Sequence, residues 1–287
     1  MGVQIPSSAQ FIMKSILKRL EDGTIELTIT IPWSIVKKAR TEILDEHAKV
    51  AELPGFRKGK APKEIVEKNI DKDHIREDIL KKLLPQGYSE AIQENKINPI
   101  LSPKIHVEKI EDDKDWEFTA FTAEAPEVEL GSYKDAIRKV TAKTKIAVPG
   151  KEQAPVSFEE ISTAMLSTIS IKIPKIIIDQ EVERLLAQTL DEVKRLGLTL
   201  DQYLASTGRT IDALKAEYAL KAENDVKLEF VLQKIAQTEG IKVEDKEIDE
   251  AIAQAKNDAE RQNLEANRYL LSSIIRQQKT LDFVRSL

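Results

Sequence analysis

The sequence predicts two units of different class: an α+β domain of order ββ-ααα-ββ, followed by an all-α domain. Three observations carry this. Strand-like stretches cluster at residues 11–31 and 102–124, on either side of a helical segment. Beyond Pro174 apolar residues recur almost throughout at helical spacing. The chain has 287 residues, enough for two domains, with only 10 glycines and 5% aromatics, which suits helices with thinly filled cores.

Each element has a local reason. Residues 11–20 and 24–31 read as a hairpin across Glu21-Asp22-Gly23. In its second strand Ile25, Leu27, Ile29 and Ile31 point one way and Thr24, Glu26, Thr28 and Thr30 the other. Pro32 then stands where a helix can begin, and Ile35, Val36, Ala39, Ile43, Leu44, Ala48 and Ala51 keep helical spacing after it. Leu53-Pro54-Gly55 stops that helix. Pro62 opens a short helix, PKEIVEKN, and a longer one runs from about Asp73 to Lys96 with Pro85 predicting a kink or break inside it. Residues 102–110 and 116–124 pair as strands across Glu111-Asp112-Asp113-Lys114, closing a first domain placed at residues 1–130.

The character then changes. YKDAIRKVTAKTKIAV reads as extended and PGKEQAPVS as a turn or linker, so residues 131–158 are assigned as a linker. The second domain, residues 159–287, is helical. Pro174 starts a helix whose stripe is Val182, Leu185, Leu186, Val193 and Leu196, ended by Gly197. Thr199 and Gln202 have capping-box spacing before a short helix, and Thr210 caps a long one running to Gly240. Two more are expected at about 245–260 and 264–285. No repeat of fixed period is evident, which argues against a solenoid.

Composition narrows the chemistry. With no cysteine, thiol catalysis, disulfides and Cys-based zinc sites are excluded. Three scattered histidines, His47, His74 and His106, leave little room for a His-based metal site, and His47 reads as a surface residue of a charged helix. Carboxylate pairs such as Glu159-Glu160 and Glu244-Asp245 fall on exposed helix faces, where they solvate and favour helix starts. Trp33 and Trp116 read as packing residues of the first domain. No catalytic triad, metal constellation or cofactor fingerprint emerges, so neither an enzyme nor a cofactor is expected. No apolar run reaches the roughly 20 residues that span a bilayer. No secretory leader is evident. These features favour the cytoplasm.

One stretch departs from the chain's acidic balance of -5. In GFRKGKAP, residues 55–62, and just beyond it, Arg57, Lys58, Lys60 and Lys63 carry positive charge, and no acid occurs from Leu53 through Lys63. A glycine-flanked cationic loop suits a phosphate backbone, where neutralised phosphates release counterions. Phe56 adds an apolar or stacking anchor for a protein groove or an unstacked base. The competing reading is a solvated surface loop. A nucleotide-binding P-loop does not fit: Gly55 and Gly59-Lys60 are one residue too close, and Ala61 replaces the required hydroxyl. The helical region offers a second possibility. Stripes at Leu214, Tyr218, Phe230, Val231 and Ile235, and at Tyr269, Leu270, Ile274, Ile275, Leu281, Phe283 and Val284, either close on one another or stay open for a partner.

Gly55-Phe56-Arg57-Lys58-Gly59-Lys60-x-Pro62 resembles the ribosome-docking motif of the bacterial trigger factor chaperones, at the tip of a helical hairpin. TIELTITIP, Lys96-Ile97-Asn98-Pro99 and WEFTAFTAEAPEVEL are similar to the same family over residues 11–130, and ISIKIPKIIIDQEVERLL and the helices after it resemble its C-terminal substrate-holding domain. The resemblance implies a ribosome-binding domain followed by a chaperone domain. It implies docking through Phe56, Arg57 and Lys58, with Gly55 and Gly59 shaping the turn, Lys60 adding phosphate attraction and Pro62 completing the motif. The implied partners are exit-tunnel protein, rRNA and nascent or unfolded chains, with neither membrane nor DNA. A homodimer off the ribosome is left open. Substrate contacts in the family are diffuse and apolar, so no single residue is assigned to them. About thirty residues separate the two parts where family members carry a prolyl isomerase domain of roughly a hundred. The implied function is therefore ATP-independent chaperoning without isomerisation. The alternatives are a ribosome-independent holdase or assembly chaperone, and, less favoured, an isomerase.

Overall fold

The β-branched alternation of residues 25–31 is realised in full: Ile25, Leu27, Ile29 and Ile31 are buried, while Glu26, Thr28 and Thr30 are half-exposed. The computed structural model describes residues 13–51, 56–59, 62, 65, 69–144 and 157–287, and the chain divides after Ala125 into two units.

In the first unit, strands β1 (Lys14–Arg19), β2 (Ile25–Ile31), β3 (Lys104–Lys109) and β4 (Trp116–Thr122) form an antiparallel sheet of order β1-β2-β4-β3. Leu17 faces Leu27 across the hairpin, and Ile29 faces Phe118 across the central pair. Thr24 N–H donates to Asp22 Oδ1 (2.9 Å) in the hairpin turn. Helices α1 (Trp33–Val50) and α2 (Lys72–Asn95) belong to the same unit. The core joins Val36, Ala39, Ile43 and Leu44 of α1 and Ile75, Ile79, Leu83 and Ala91 of α2 to the buried sheet residues, with Trp116 and Phe118 among the largest. Each large apolar side chain so buried contributes about 1.5–3 kcal/mol.

Two local devices set α2 in place. Gly87 faces the sheet, and a Cβ there would stand 2.9 Å from Met13 Sδ and 3.3 Å from both Ile29 Cγ2 and Phe118 Cζ. A larger residue would push helix and sheet apart. At its C-terminus Lys96 adopts φ 52°, so that Lys96 N–H reaches the Gln93 carbonyl and Ile97 N–H the Ile92 carbonyl. The kink or break expected at Pro85 is corrected in part: the helix runs through it unbroken. Pro85 lies on the exposed side, so the Lys81 carbonyl it cannot bond is within reach of water, while Leu83 and Gly87 on the other side stay packed. Of the short helix expected after Pro62, Ile65 and Asn69 are helical, with Asn69 Nδ2 donating to the Ile65 carbonyl (2.7 Å). The rest of that segment lies outside the described residues.

The second unit is helical, with a small ribbon in which β5 (Val128–Glu129) pairs with β6 (Ser170–Ile171). The extended reading of Tyr133–Val148 is wrong where the chain is described: Tyr133–Thr144 is helix α3. Tyr133 and Ile137, one turn apart, are buried with Ile161, Met165, Val231, Leu232, Ile235 and Val284. That burial outweighs the weak helix propensity of its threonines. A segment assigned as linker thus opens with a packed helix, while residues 145–156 lie outside the described set.

Helix α4 (Phe158–Leu166) starts at a capping box between Ser157 and Glu160. Helix α5 (Lys175–Arg195) follows Pro174, and α6 (Leu200–Thr207) has the expected Thr199–Gln202 box. Thr210 caps the long α7 (Ile211–Thr238). Helix α5 packs along α7, burying Leu185, Val193, Leu214 and Ala222, with a Thr189–Tyr218 hydroxyl hydrogen bond of 2.6 Å. The two C-terminal helices expected are instead three among the described residues: α8 (Asp245–Ala253), α9 (Asp258–Ala266) and α10 (Arg268–Ser286). Asparagines cut the pattern. Asn257 Oδ1 accepts from Glu260 N–H (2.8 Å) to start α9, and Asn267 Nδ2 bonds back to the Asn263 carbonyl (2.8 Å) at its end.

Candidate functional sites

The cationic loop begins where α1 stops. Ala51 N–H closes the last turn on the His47 carbonyl, and Ala51 has extended backbone. Gly59 folds the chain back: its N–H donates to the Ala51 carbonyl (3.1 Å). Glycine is required there twice. Its φ is +72°, and a Cβ would lie 2.6 Å from the Lys49 carbonyl oxygen. The fold-back leaves Phe56, Arg57 and Lys58 exposed, with Phe56 at 39%. An aromatic ring thus stands partly open to solvent beside Arg57 and Lys58. Pro62 is exposed as well. Gly55 and Lys60, the other two residues singled out in this loop, lie outside the described residues.

In the helical unit the apolar stripes divide. Leu214, Val231, Ile235 and Val284 close into cores, whereas Tyr269 (84% exposed), Leu270 and Ile274 stand open on α10. Sequence spacing did not mark Leu190, Leu198 and Leu220 as open, and Leu196, expected on the α5 stripe, is exposed too. Two concavities accompany these residues. One of about 240 Å³ between α5, α6 and α7 is lined by Leu186, Ala187, Thr189, Leu190, Leu200, Ile211 and Leu214. A larger one of about 860 Å³ lies between α4, β6 and the middle of α7, where Phe158, Leu166, Ile171 and Leu228 alternate with Lys221 and Asp225. Grooves that mix apolar walls with charges can hold extended chain segments without selecting one sequence.

Helix α3 is anchored by a polar cluster. Tyr133 Oη donates to Glu239 Oε1 (2.9 Å) and Lys134 Nζ to Glu239 Oε2 (2.8 Å). These hydrogen bonds, Lys134 foremost, hold the Glu239 carboxyl below the usual carboxylate range. Burial first, and then the adjacent carboxylate, raise the Tyr133 phenol well above its ordinary value.

The histidines are less scattered than their spacing suggests. His47 on α1 meets His74 and Asp78 on α2: His47 Nε2 lies 2.9 Å and His74 Nε2 3.7 Å from Asp78 Oδ2. The imidazoles stand edge to face with centroids 5.6 Å apart. His47 is thus half-buried and paired, where a plain surface residue was expected. The hydrogen bonds of His47 and then Lys81 hold the Asp78 carboxyl low. His106 is elsewhere, on β3, against Phe121.

An exposed cationic-aromatic turn lies on a small α+β unit, and the helical unit that follows carries open apolar side chains. Residues 13–153 match the family model of the bacterial trigger factor protein (TF), and residues 150–286 match its C-terminal model. Together these matches place the chain in the trigger factor family. The two matches overlap at residues 150–153. The trigger factor of Staphylococcus epidermidis is 42% identical over 108 residues, 38% of this chain and 25% of the relative. That of Ligilactobacillus salivarius is 41% identical over 117 residues, 40% and 27% of the two chains. That of Natranaerobius thermophilus is 34% identical over 122 residues, 42% and 27%. The matched stretch thus spans about a quarter of the length of these relatives. A solved structure from work on promiscuous substrate recognition in folding and assembly by the trigger factor chaperone shares the fold. Its TM-score is 0.62 at 14% identity, covering 94% of this chain and 99% of that one.

Proposed function

We propose that this protein is an ATP-independent chaperone that docks beside the ribosomal exit tunnel and shields apolar segments of emerging chains. The observation that carries the reading is the turn at Gly59, which projects Phe56, Arg57 and Lys58 from a chain of family-typical fold. The two cations supply salt-sensitive attraction to rRNA phosphates, and the ring supplies an apolar anchor on an adjacent ribosomal protein. Gly55, Lys60 and Pro62 complete the docking loop. In the helical unit, the exposed side chains of α10 and the two concavities hold unfolded segments weakly until they bury themselves. Such work requires no bond-making, and we propose that the protein has no prolyl isomerase activity. The cytoplasm is the compartment in which these partners meet. Among the described residues no helix is long and apolar enough to cross a membrane.

The deciding experiment is co-sedimentation with ribosomes at low and moderate salt, comparing wild type with Phe56→Ala/Arg57→Ala/Lys58→Ala. Wild type should pellet at low salt and be released as salt rises, and the triple variant should stay in the supernatant. Equal pelleting of both would refute the docking assignment. Persistent suppression of client aggregation by the triple variant, without ATP, separates the chaperone half from the docking half. Turnover of a prolyl peptide by wild type would overturn the absence of isomerase activity.

A further inference from the structure

We propose that His47, His74 and Asp78 form a binding site for a divalent transition-metal ion of the zinc type, pinning α1 to α2 at the base of the cationic loop. The donor atoms of the three side chains all lie within 4.8 Å of one another. A tetrahedral centre with ligand distances of about 2.0–2.1 Å places its donors roughly 3.3 Å apart, and an octahedral face places them roughly 2.9 Å apart. The 2.9 Å and 3.7 Å to Asp78 Oδ2 lie near those spacings and the third pair is within 4.8 Å, so side-chain rotation that exchanges the His47–Asp78 hydrogen bond for metal ligation can seat an ion.

The scaffold is suited to the task. His74 and Asp78 are four residues apart on α2, on one face one turn apart, and form a helical chelate. His47, in the last turn of α1, supplies the third ligand from the facing helix. The helices are already fixed against each other by their buried faces and by the Lys82–Glu42 ion pair of 2.7 Å, so little ordering remains to oppose binding. Two imidazoles and one carboxylate select borderline cations such as Zn²⁺, Co²⁺ or Ni²⁺ over Ca²⁺ and Mg²⁺, which want oxygen ligands. His47 and Asp78 side chains are 27% and 24% exposed and His74 54%, so water can fill the remaining coordination positions. Lys81 Nζ bonds the other carboxylate oxygen, Asp78 Oδ1, at 3.1 Å. The site stands independently of the ribosome-docking reading.

The test is titration of the full chain, free of any affinity tag, with ZnCl₂ by calorimetry and with CoCl₂ by visible absorption. Wild type is compared with His74→Ala, His47→Ala, Asp78→Asn and the control His106→Ala. His74 is exposed enough for its replacement to leave the fold intact, which circular dichroism checks. The expected result is one saturable Zn²⁺ per chain in wild type and in His106→Ala. Affinity should fall on the order of tenfold or more in each of the other three. A Zn²⁺-dependent rise in Tm should appear in wild type and vanish in His74→Ala. Unchanged affinity in His74→Ala and His47→Ala, or no saturation of wild type below about 1 mM, would overturn the proposal.

Discussion

At the residue scale, backbone conformation shows most clearly where function and stability differ in what they ask. Gly59 combines a positive φ with an approach to the Lys49 carbonyl that leaves no space for a side chain, and it does so beneath the exposed triplet. Lys96 has the same left-handed conformation, yet it carries a Cβ that this conformation disfavours by about 1–2 kcal/mol. Lys96→Gly should therefore raise the stability of the first unit by about 0.5–1 kcal/mol, read as a shift in the urea midpoint at constant slope. An unchanged or lowered midpoint would mean that the Lys96 side chain contributes more than its backbone strain removes. Sequence reading could identify Gly59 because a glycine within a cationic loop invites a turn. It had no comparable signal for Lys96, since lysine gives no hint of a left-handed residue.

At the scale of elements, α3 shows why a stretch can be read wrongly. YKDAIRKVTAKT has Tyr133, Ile137 and Val140 at helical spacing, but its lysines and threonines dilute the pattern until it passes for an extended segment. What decides the issue is the core that α4, α7 and α10 share with Tyr133 and Ile137, made from residues as distant in the chain as Val284. The same anchor gives α3 a pH dependence. The Tyr133 phenol is raised in the folded chain, so its contribution is complete below the unfolded tyrosine value of about 10 and is lost as pH rises beyond it. The Glu239 carboxyl is lowered, so its contribution holds above the unfolded carboxylate value of about 4.3 and is lost on acidification. Thermal unfolding from pH 7 to 11 should show Tm falling above about pH 10 in wild type and falling less steeply in Tyr133→Phe. Parallel curves would show that the phenol does not carry the alkaline loss.

For the molecule as a whole, two units of unlike class each have a core of their own, and the proposed function divides between them. Tyr269, Leu270 and Ile274 are exposed, so exchanging them should cost the fold little while reducing the apolar surface offered to clients. Tyr269→Ser/Leu270→Ser/Ile274→Ser should unfold within about 1 kcal/mol of wild type and suppress aggregation of an unfolded client several-fold less well. Its ribosome pelleting should be unchanged. Full retention of aggregation suppression would move the client surface to the concavities beside α5 and α4.

The sequence by itself determined the sheet alternation, the helix starts at Pro32, Pro174, Thr199 and Thr210, and the cationic turn around Phe56. Each rests on a repeat or cap spanning a few residues, so local spacing suffices to reveal it. Only the tertiary structure decided which apolar stripes close, that α3 is a helix, and that α2 passes unbroken through Pro85. It also brought together His47 and His74, which are 27 positions apart in the chain. These outcomes depend on partners distant in sequence, whose burial is worth more than the local preferences they override.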